Sequence, residues 1–170
     1  IQACGGRAHT VILTQLGRVY VCGQSKRGQL GLGNQTSLHN PTLVQPMVNL
    51  ACVQIAAGDD HSVLLTSLGH AYVCGRNDTA QLGDGTLDDS LVPKPMQPVI
   101  TKELMRDKSK YEILSLQHHP MFGVLIEQVF AAGSSTFAVV SGGENVYVCG
   151  SGAYGHPQDR HPTGLADMLR

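Results

Sequence analysis

A tract near the start of the chain returns 52 residues later, and this recurrence constrains the fold more than any single residue does. Tyr20-Val21-Cys22-Gly23 runs into Gly28-Gln29-Leu30-Gly31-Leu32-Gly33, and Tyr72-Val73-Cys74-Gly75 runs into Ala80-Gln81-Leu82-Gly83-Asp84-Gly85. Laid over each other without a gap, residues 6–46 and 58–98 are identical at 18 of 41 positions, including His9/His61, Thr14/Thr66, Gly17/Gly69, Gly31/Gly83 and Pro41/Pro93. A unit of about fifty residues that repeats this closely belongs to a solenoid, a propeller or an array.

Within a unit the pattern is β. Val53-Gln54-Ile55-Ala56-Ala57 alternates, Ser62-Val63-Leu64-Leu65-Thr66 is β-rich, Ser67-Leu68-Gly69 reads as a hairpin turn, and His70-Ala71-Tyr72-Val73-Cys74 returns. Leu91 to Pro95 can only be an edge strand, because its prolines donate no ladder hydrogen bond. Three or four short strands and no convincing helix predict a small antiparallel sheet per repeat, which is a propeller blade. Strands are expected near 9–14, 18–22, 53–57, 61–66, 70–74, 136–141 and 145–149.

A third copy, Tyr147-Val148-Cys149-Gly150, lies 75 residues beyond the second and is degenerate. At that offset Gln128 takes the place of Val53, Gly133 matches Gly58, and Thr136 replaces the histidine. Gly143-Glu144 stands at the turn, and His156-Pro157-Gln158 replaces Gln-Leu-Gly. The chain is thus read as one partial propeller domain over 1–170, with repeats at about 1–52, 53–98 and 128–170 and an insertion at about 99–127. The insertion has a basic first half (Lys102, Arg106, Lys108 and Lys110 against Glu103 and Asp107) and an apolar second half that includes Phe122. Extra segments on a repeat scaffold tend to emerge on the binding face, which makes these five residues candidate partner contacts.

Charge is low. A formal net charge of −1 with 15% charged residues gives no global attraction to nucleic acid or an anionic membrane. No apolar run approaches the ~20 residues of a membrane helix, and no signal peptide opens the chain. Cys4, Cys22, Cys52, Cys74 and Cys149 include three at one repeat position; we read Cys22, Cys74 and Cys149 as equivalent, buried and reduced, which suits a reducing compartment.

The residues that could carry chemistry each have a plainer role. His9 and His61 recur with the fold unit, so a hydrogen bond to backbone within each blade explains them better than proton transfer. The glycine loops lack the Lys-[Ser/Thr] that completes a phosphate loop, and no Cys-x-x-Cys pair exists for zinc. No catalytic, cofactor or metal residue is expected. Asp59 and Asp60 are read as lining a propeller face. Lys26-Arg27 occupies the loop position where the second repeat has Asp78-Thr79, so equivalent loops carry opposite charge. Lys26, Arg27, Asp59, Asp60 and Asp78 join the candidate partner contacts.

The combination Gly-x-x-His-[Ser/Thr], Gly-x-[Val/Ala]-Tyr-Val-Cys-Gly and Gln-Leu-Gly-x-Gly resembles the repeat of the regulator of chromosome condensation family, closely over residues 1–98 and weakly over 128–155. The resemblance implies an all-β propeller, normally of seven blades, of which this chain supplies about three; the remaining blades are expected in a longer parent chain. It implies a protein-binding scaffold acting through propeller-face loops, such as those within ubiquitin ligases, ciliary or signalling proteins. The alternative it offers is guanine-nucleotide exchange on a Ran-like small GTPase. Near-neutral charge argues against chromatin as a partner. Residence inside the cell, in cytoplasm or nucleus, is the matching expectation.

Overall fold

A computed structural model describes residues 1–96, 125–141, 146–150 and 163–164. They form three four-stranded antiparallel sheets. The first contains β1 (Gln2–Gly5), β2 (His9–Leu13), β3 (Val19–Gly23) and β4 (Leu38–Leu43). The second contains β5 (Cys52–Ala57), β6 (His61–Thr66), β7 (Ala71–Gly75) and β8 (Ser90–Pro95), and the third β9 (Ile126–Ala132), β10 (Ser135–Val140), β11 (Val146–Gly150) and β12 (Thr163–Gly164). In each sheet the strands are ordered as in the chain, so each repeat is a meander and its proline-bearing fourth strand, β4 or β8, lies at the edge. The seven expected strands are all present within a residue at either end.

Burial shows how the sheets stack. β2 alternates, with His9, Val11 and Leu13 buried and Thr10 and Ile12 half-exposed. β6 is buried at all six positions. Local sequence does not explain the difference, because the two strands are nearly the same sequence. The second blade has a neighbour on each face, and the first has one among the described residues. Two apolar clusters fill the two junctions. Val11, Leu13, Val19 and Val21 of the first blade meet Cys52, Ile55 and Leu64 of the second. Val63, Leu65, Ala71 and Val73 of the second blade meet Ile126, Val129 and Ala138 of the third.

The junctions are also bonded by a repeated set of hydrogen bonds. The Gln2 side chain accepts from Ile55 N–H (3.2 Å), and the Gln54 side chain both donates to Val129 C=O (2.8 Å) and accepts from its N–H (3.0 Å). Arg7 N–H donates to Asp59 C=O (3.0 Å), and Asp59 N–H to Gly133 C=O (2.7 Å). Cys52 N–H donates to Gly17 C=O (3.1 Å), and Ile126 N–H to Gly69 C=O (2.9 Å). The first strands thus touch one another across each junction and form the inner layer. Gly6 and Gly58 are needed here: a Cβ on either would overlap the ring of the following histidine, His9 or His61.

These bonds correct the alignment of the third repeat. Ile55 corresponds to Val129, Asp59 to Gly133 and Cys52 to Ile126, an offset of 74. The ladders agree: Ser62 faces Cys74, and Thr136 faces Cys149. Ser135, not Thr136, therefore replaces the histidine, Gly133 replaces Asp59 rather than Gly58, and Glu127 rather than Gln128 stands for Val53. The cause is the third hairpin. Leu65 pairs with Ala71, six positions on, whereas Val139 pairs with Val146, seven on, so one added turn residue restores the offset of 75 at Cys149.

Candidate interaction face

Chain direction sorts the loops onto two ends of the blades. The first-to-second and third-to-fourth strand loops share one end. The hairpin tips, with Leu16 and Leu68 exposed, share the other with the connections between blades. Lys26, Arg27, Asp59, Asp60 and Asp78 all lie on the first end. The connection that contains Lys102, Arg106, Lys108, Lys110 and Phe122 departs after Met96 and returns at Leu125, on the second end; those five residues lie outside the described ones. Of the residues expected from sequence to contact a partner, the five described ones thus share one end.

On the first end the charged residues form one arc. Arg7 pairs with Asp60 across the first junction, and Arg76 approaches Asp60 from its own blade at 3.8 Å. Arg76 Nε also donates to both Asp78 carboxylate oxygens, at 2.7 and 2.8 Å. Arg27 crosses back from the first blade to Asp78 at 3.8 Å and to Asp89 at 3.0 Å. Asp89 is fixed in turn by Asn77 N–H at 2.9 Å. The hydrogen bond from Arg76 holds the Asp78 carboxyl below the usual carboxylate range, and the same bond raises the Arg76 guanidinium. The opposite charges read from equivalent loops thus face one another between neighbouring blades.

Asp60 departs from expectation. It is 3% exposed, enclosed between two guanidinium groups, and so braces Arg7 and Arg76 instead of offering a free carboxylate on the face. Asp59 and Lys26 are exposed beside the arc. Arg7 and Arg76 were not singled out from sequence. The signal was their position: each sits where the repeats differ, beside a glycine that the first two repeats share.

A second ion pair stiffens the long loop of the second blade. Asp84 meets Lys94 and accepts from Asn77 Nδ2 at 3.0 Å and Thr86 N–H at 3.0 Å. Burial pushes its carboxyl up, but the Lys94 and Thr86 bonds outweigh this and hold it below the ordinary range. Leu32 and Thr42 stand at the equivalent places in the first blade, so only one of the two loops is locked this way.

The recurrent histidines bond between blades, not to backbone within one. His9 Nε2 lies 2.9 Å from Ser62 Oγ, and His61 Nε2 lies 2.8 Å from Thr136 Oγ1. Each hydroxyl donates its single proton to a main-chain carbonyl, Ser62 to Gln29 at 2.7 Å and Thr136 to Gln81 at 2.7 Å. The imidazole Nε2 must therefore be the donor to the hydroxyl. A serine beside a histidine evokes a nucleophile and its base, yet here the proton runs the wrong way and both groups are buried. Burial, with the neighbouring His9, lowers the His61 pKa to about 4; burial also lowers that of His9.

The cysteines require a second correction. Cys74 and Cys149 are buried, with Sγ 3.7 Å from Gln29 C=O and 3.3 Å from Gln81 C=O, and burial pushes both thiols up to about 12. Cys22 is only half-buried. The cover comes from the Gln-Leu-Gly loop of the preceding blade, and no described blade precedes the first. Among the described residues, no group of three or more His, Cys, Asp or Glu could hold a metal ion, and no helix is long and apolar enough to cross a membrane.

Comparisons with known proteins agree with this geometry. Two profiles described as "Regulator of chromosome condensation (RCC1) repeat" match, one at residues 17–65 and the other at 1–29 and 52–81. The chain is 34% identical over 152 residues to the ultraviolet-B receptor UVR8 of Arabidopsis thaliana, covering 89% of this chain and 29% of the receptor. It is 35% identical over 117 residues to the secretion-regulating guanine nucleotide exchange factor of Bos taurus, covering 67% of this chain and 24% of that protein. The chain thus spans less than a third of either relative's length. Among solved structures, human WBSCR16 superposes with a TM-score of 0.74 at 21% identity, covering 97% of this chain and 37% of that one, a likeness of fold.

Proposed function

The chain belongs to the regulator of chromosome condensation repeat family, and on that footing we propose that it is a protein–protein interaction module, part of a larger regulatory protein, that binds through the charged loop end of its blades. One observation carries this reading. The groups that join blades repeat from junction to junction, whereas among the described residues the charged arc Arg7–Asp60–Arg76–Asp78–Arg27–Asp89 occurs at the first junction alone. A scaffold that holds its strands constant and varies its loops is one that acquires a partner through the loops. Partly exposed guanidinium groups held in place by carboxylates are pre-organised to meet an acidic or polar partner surface. Asp59 and Lys26 flank that surface. Five cysteines without a disulfide support a reducing, intracellular setting, nuclear or cytoplasmic.

The test is charge reversal at the exposed end of the arc. Arg27→Glu and Asp78→Arg, each checked for unchanged thermal unfolding, should weaken any purified partner of the parent protein by roughly tenfold at low salt, and the paired reversal should recover part of it. Full affinity in both single variants overturns the reading.

A second reading, nucleotide exchange on a small GTPase, is favoured by the similarity to a guanine nucleotide exchange factor. Exchange needs no nucleophile, only a surface that stabilises the nucleotide-free GTPase. Release of a fluorescent guanine nucleotide from a Ran-like GTPase, measured with and without the parent protein, decides between the two.

A further inference from the structure

The long loops between third and fourth strands of the first two blades follow one plan, yet differ in charge at two neighbouring places. Ser25 and Asn77 open the loops, 52 residues apart. Each sends its side chain to the equivalent carbonyl, Ser25 Oγ to Asn34 C=O at 3.3 Å and Asn77 Nδ2 to Thr86 C=O at 3.0 Å. Gln29 Oε1 accepts from Arg27 N–H, and Gln81 Oε1 from Thr79 N–H, both at 2.9 Å. Residues 52 apart therefore stand in equivalent places within the two loops.

In this plan Ser37 stands where the second loop has Asp89. Ser25 N–H donates to Ser37 Oγ at 3.2 Å, and Asn77 N–H to Asp89 Oδ1 at 2.9 Å. One repeat thus caps this N–H with a hydroxyl and the other with a carboxylate, so the place accommodates an anion. The carboxylates of Asp78 and Asp89 converge, since both reach the Arg27 guanidinium, at 3.8 and 3.0 Å. The first loop has Lys26 in the place of Asp78 and Ser37 in that of Asp89. A negative group on Ser37 would therefore find an ammonium beside it on its own loop, whereas Asp89 takes its cation from the preceding blade.

Both partners are open to solvent. Lys26 is exposed and makes no ion pair among the described residues. Ser37 closes a run of exposed residues, 33–37, in irregular backbone, a kind of segment that can enter an enzyme cleft. This access does not depend on what packs beside the first blade. Asp88 and Asp89 have that blade packed against their own, and Asp88 is exposed while the Asp89 side chain keeps 21% of its surface.

We propose that Ser37 is a phosphorylation site whose phosphate is received by Ser25 N–H and the Lys26 ammonium. A protein kinase supplies the step, with ATP as donor. Ser37 Oγ attacks the γ-phosphorus, the bond from that phosphorus to the bridging oxygen breaks, ADP leaves with the electron pair, and the hydroxyl proton passes to a base of the kinase. The product adds about 1.5 to 2 negative charges at pH 7 and strong acceptor oxygens. Thr36 is also exposed, but its counterpart Asp88 meets no cation among the described residues, so Thr36 is the control. The consequence for partners rests on the binding face proposed above: pairing Lys26 withdraws a cation from its flank.

The receiving site can be read without any partner, so its failure is distinct from failure of the binding face. In a chain carrying phosphate on Ser37, made by semisynthesis, phosphorus NMR should give a titration midpoint ~0.5–1 pH unit below the ordinary second pKa of about 6. Lys26→Ala, at an exposed position, should return most of that shift. The Ser25 amide proton should move downfield on phosphorylation, with or without Lys26. Phosphoserine in place of Thr36 should titrate near the ordinary value. Mass mapping of the parent protein, taken from its own cells with phosphatases inhibited, should find phosphate on Ser37. An ordinary midpoint, a shift that Lys26→Ala leaves in place, an equal shift at position 36, or a parent protein unmodified at Ser37 overturns the proposal.

Discussion

His9 and Ser62 lie 53 positions apart and meet at 2.9 Å across the first junction, and the same contact recurs between His61 and Thr136 at the second. In each, the imidazole N–H supports a hydroxyl that caps the carbonyl of a buried glutamine, Gln29 or Gln81. The chain Nε2–H to Oγ–H to C=O links second strands to a loop of the preceding repeat. It places a titratable group at the seam between blades, with Nδ1 of both rings buried and unbonded.

Acid should therefore loosen the seam. The His61 pKa is lowered to about 4 from an ordinary value near 6.5. A group whose folded pKa is depressed takes up a proton first in the unfolded chain. Its contribution is fully present above about pH 6.5, declines as pH falls toward 4, and is gone below that. Asp60, which favours the charged form of both rings, faces this seam together with Arg7 and Arg76. At 1.36 kcal/mol per pH unit, His61 alone accounts for about 3 kcal/mol across the window, and the lowered pKa of His9 acts in the same direction. Urea unfolding at a series of pH values should show that loss; a midpoint unchanged between neutral pH and 4.5 would contradict it.

The thiols should separate by blade. Alkylation under native conditions, followed by mass mapping, is expected to modify Cys22 first and to leave Cys74 and Cys149 intact, because the latter two are enclosed and their pKa values near 12 keep them protonated. Equal labelling of the three, at positions with the same local sequence, would mean that the junctions open readily.

Most of the fold was legible in the chain, and what was missed has one cause. Strand positions follow from alternation and glycine punctuation, which are local. Cys22 and Cys74 share their local sequence, Tyr-Val-Cys-Gly, and differ in burial only because of a neighbouring repeat; a reading of one repeat at a time cannot see this. The histidine partner was missed for the same reason. The one-residue shift in the third repeat was hidden because identity at Cys149 fixed the offset, and a longer hairpin turn is invisible until the ladders are paired. Asp60 looked like a loop acid because Arg7 comes from the previous blade and Arg76 lies 16 residues along the chain.

Two glycines with positive φ should respond unequally to alanine. At Gly75 (φ 113°) a Cβ would overlap the Asp60 carbonyl oxygen and the His61 backbone, where the end of the third strand pairs with the start of the second. At Gly133 (φ 56°) nothing lies within 4 Å. Gly133→Ala should cost only the left-handed penalty, about 1–2 kcal/mol, and Gly75→Ala more than that, with loss of cooperative unfolding the extreme case. Thermal melts compare them directly, and equal shifts in the two would refute the steric account.

The hydroxyl at the seam offers the sharpest comparison, because the protein holds an internal control. Thr136 is fully buried, receives His61 Nε2–H and donates to Gln81 C=O. Thr10 occupies the same place in the first blade, opposite Cys22 as Thr136 is opposite Cys149, but is half-exposed and bonds neither group. Valine keeps the shape of threonine and removes the hydroxyl. Thr136→Val leaves the buried His61 N–H unpaired and leaves Gln81 C=O with only the weak Cys149 S–H donor, so roughly 1–3 kcal/mol of stability should be lost. Thr10→Val leaves nothing unpaired and should stay within about 0.5 kcal/mol of the parent. Chemical unfolding of both variants reads the difference. Mutating His61 as well should then remove most of the penalty, since an absent donor cannot be orphaned. If Thr136→Val proves as mild as Thr10→Val, the relay through His61 carries no stability and the junction is held by its apolar cluster alone.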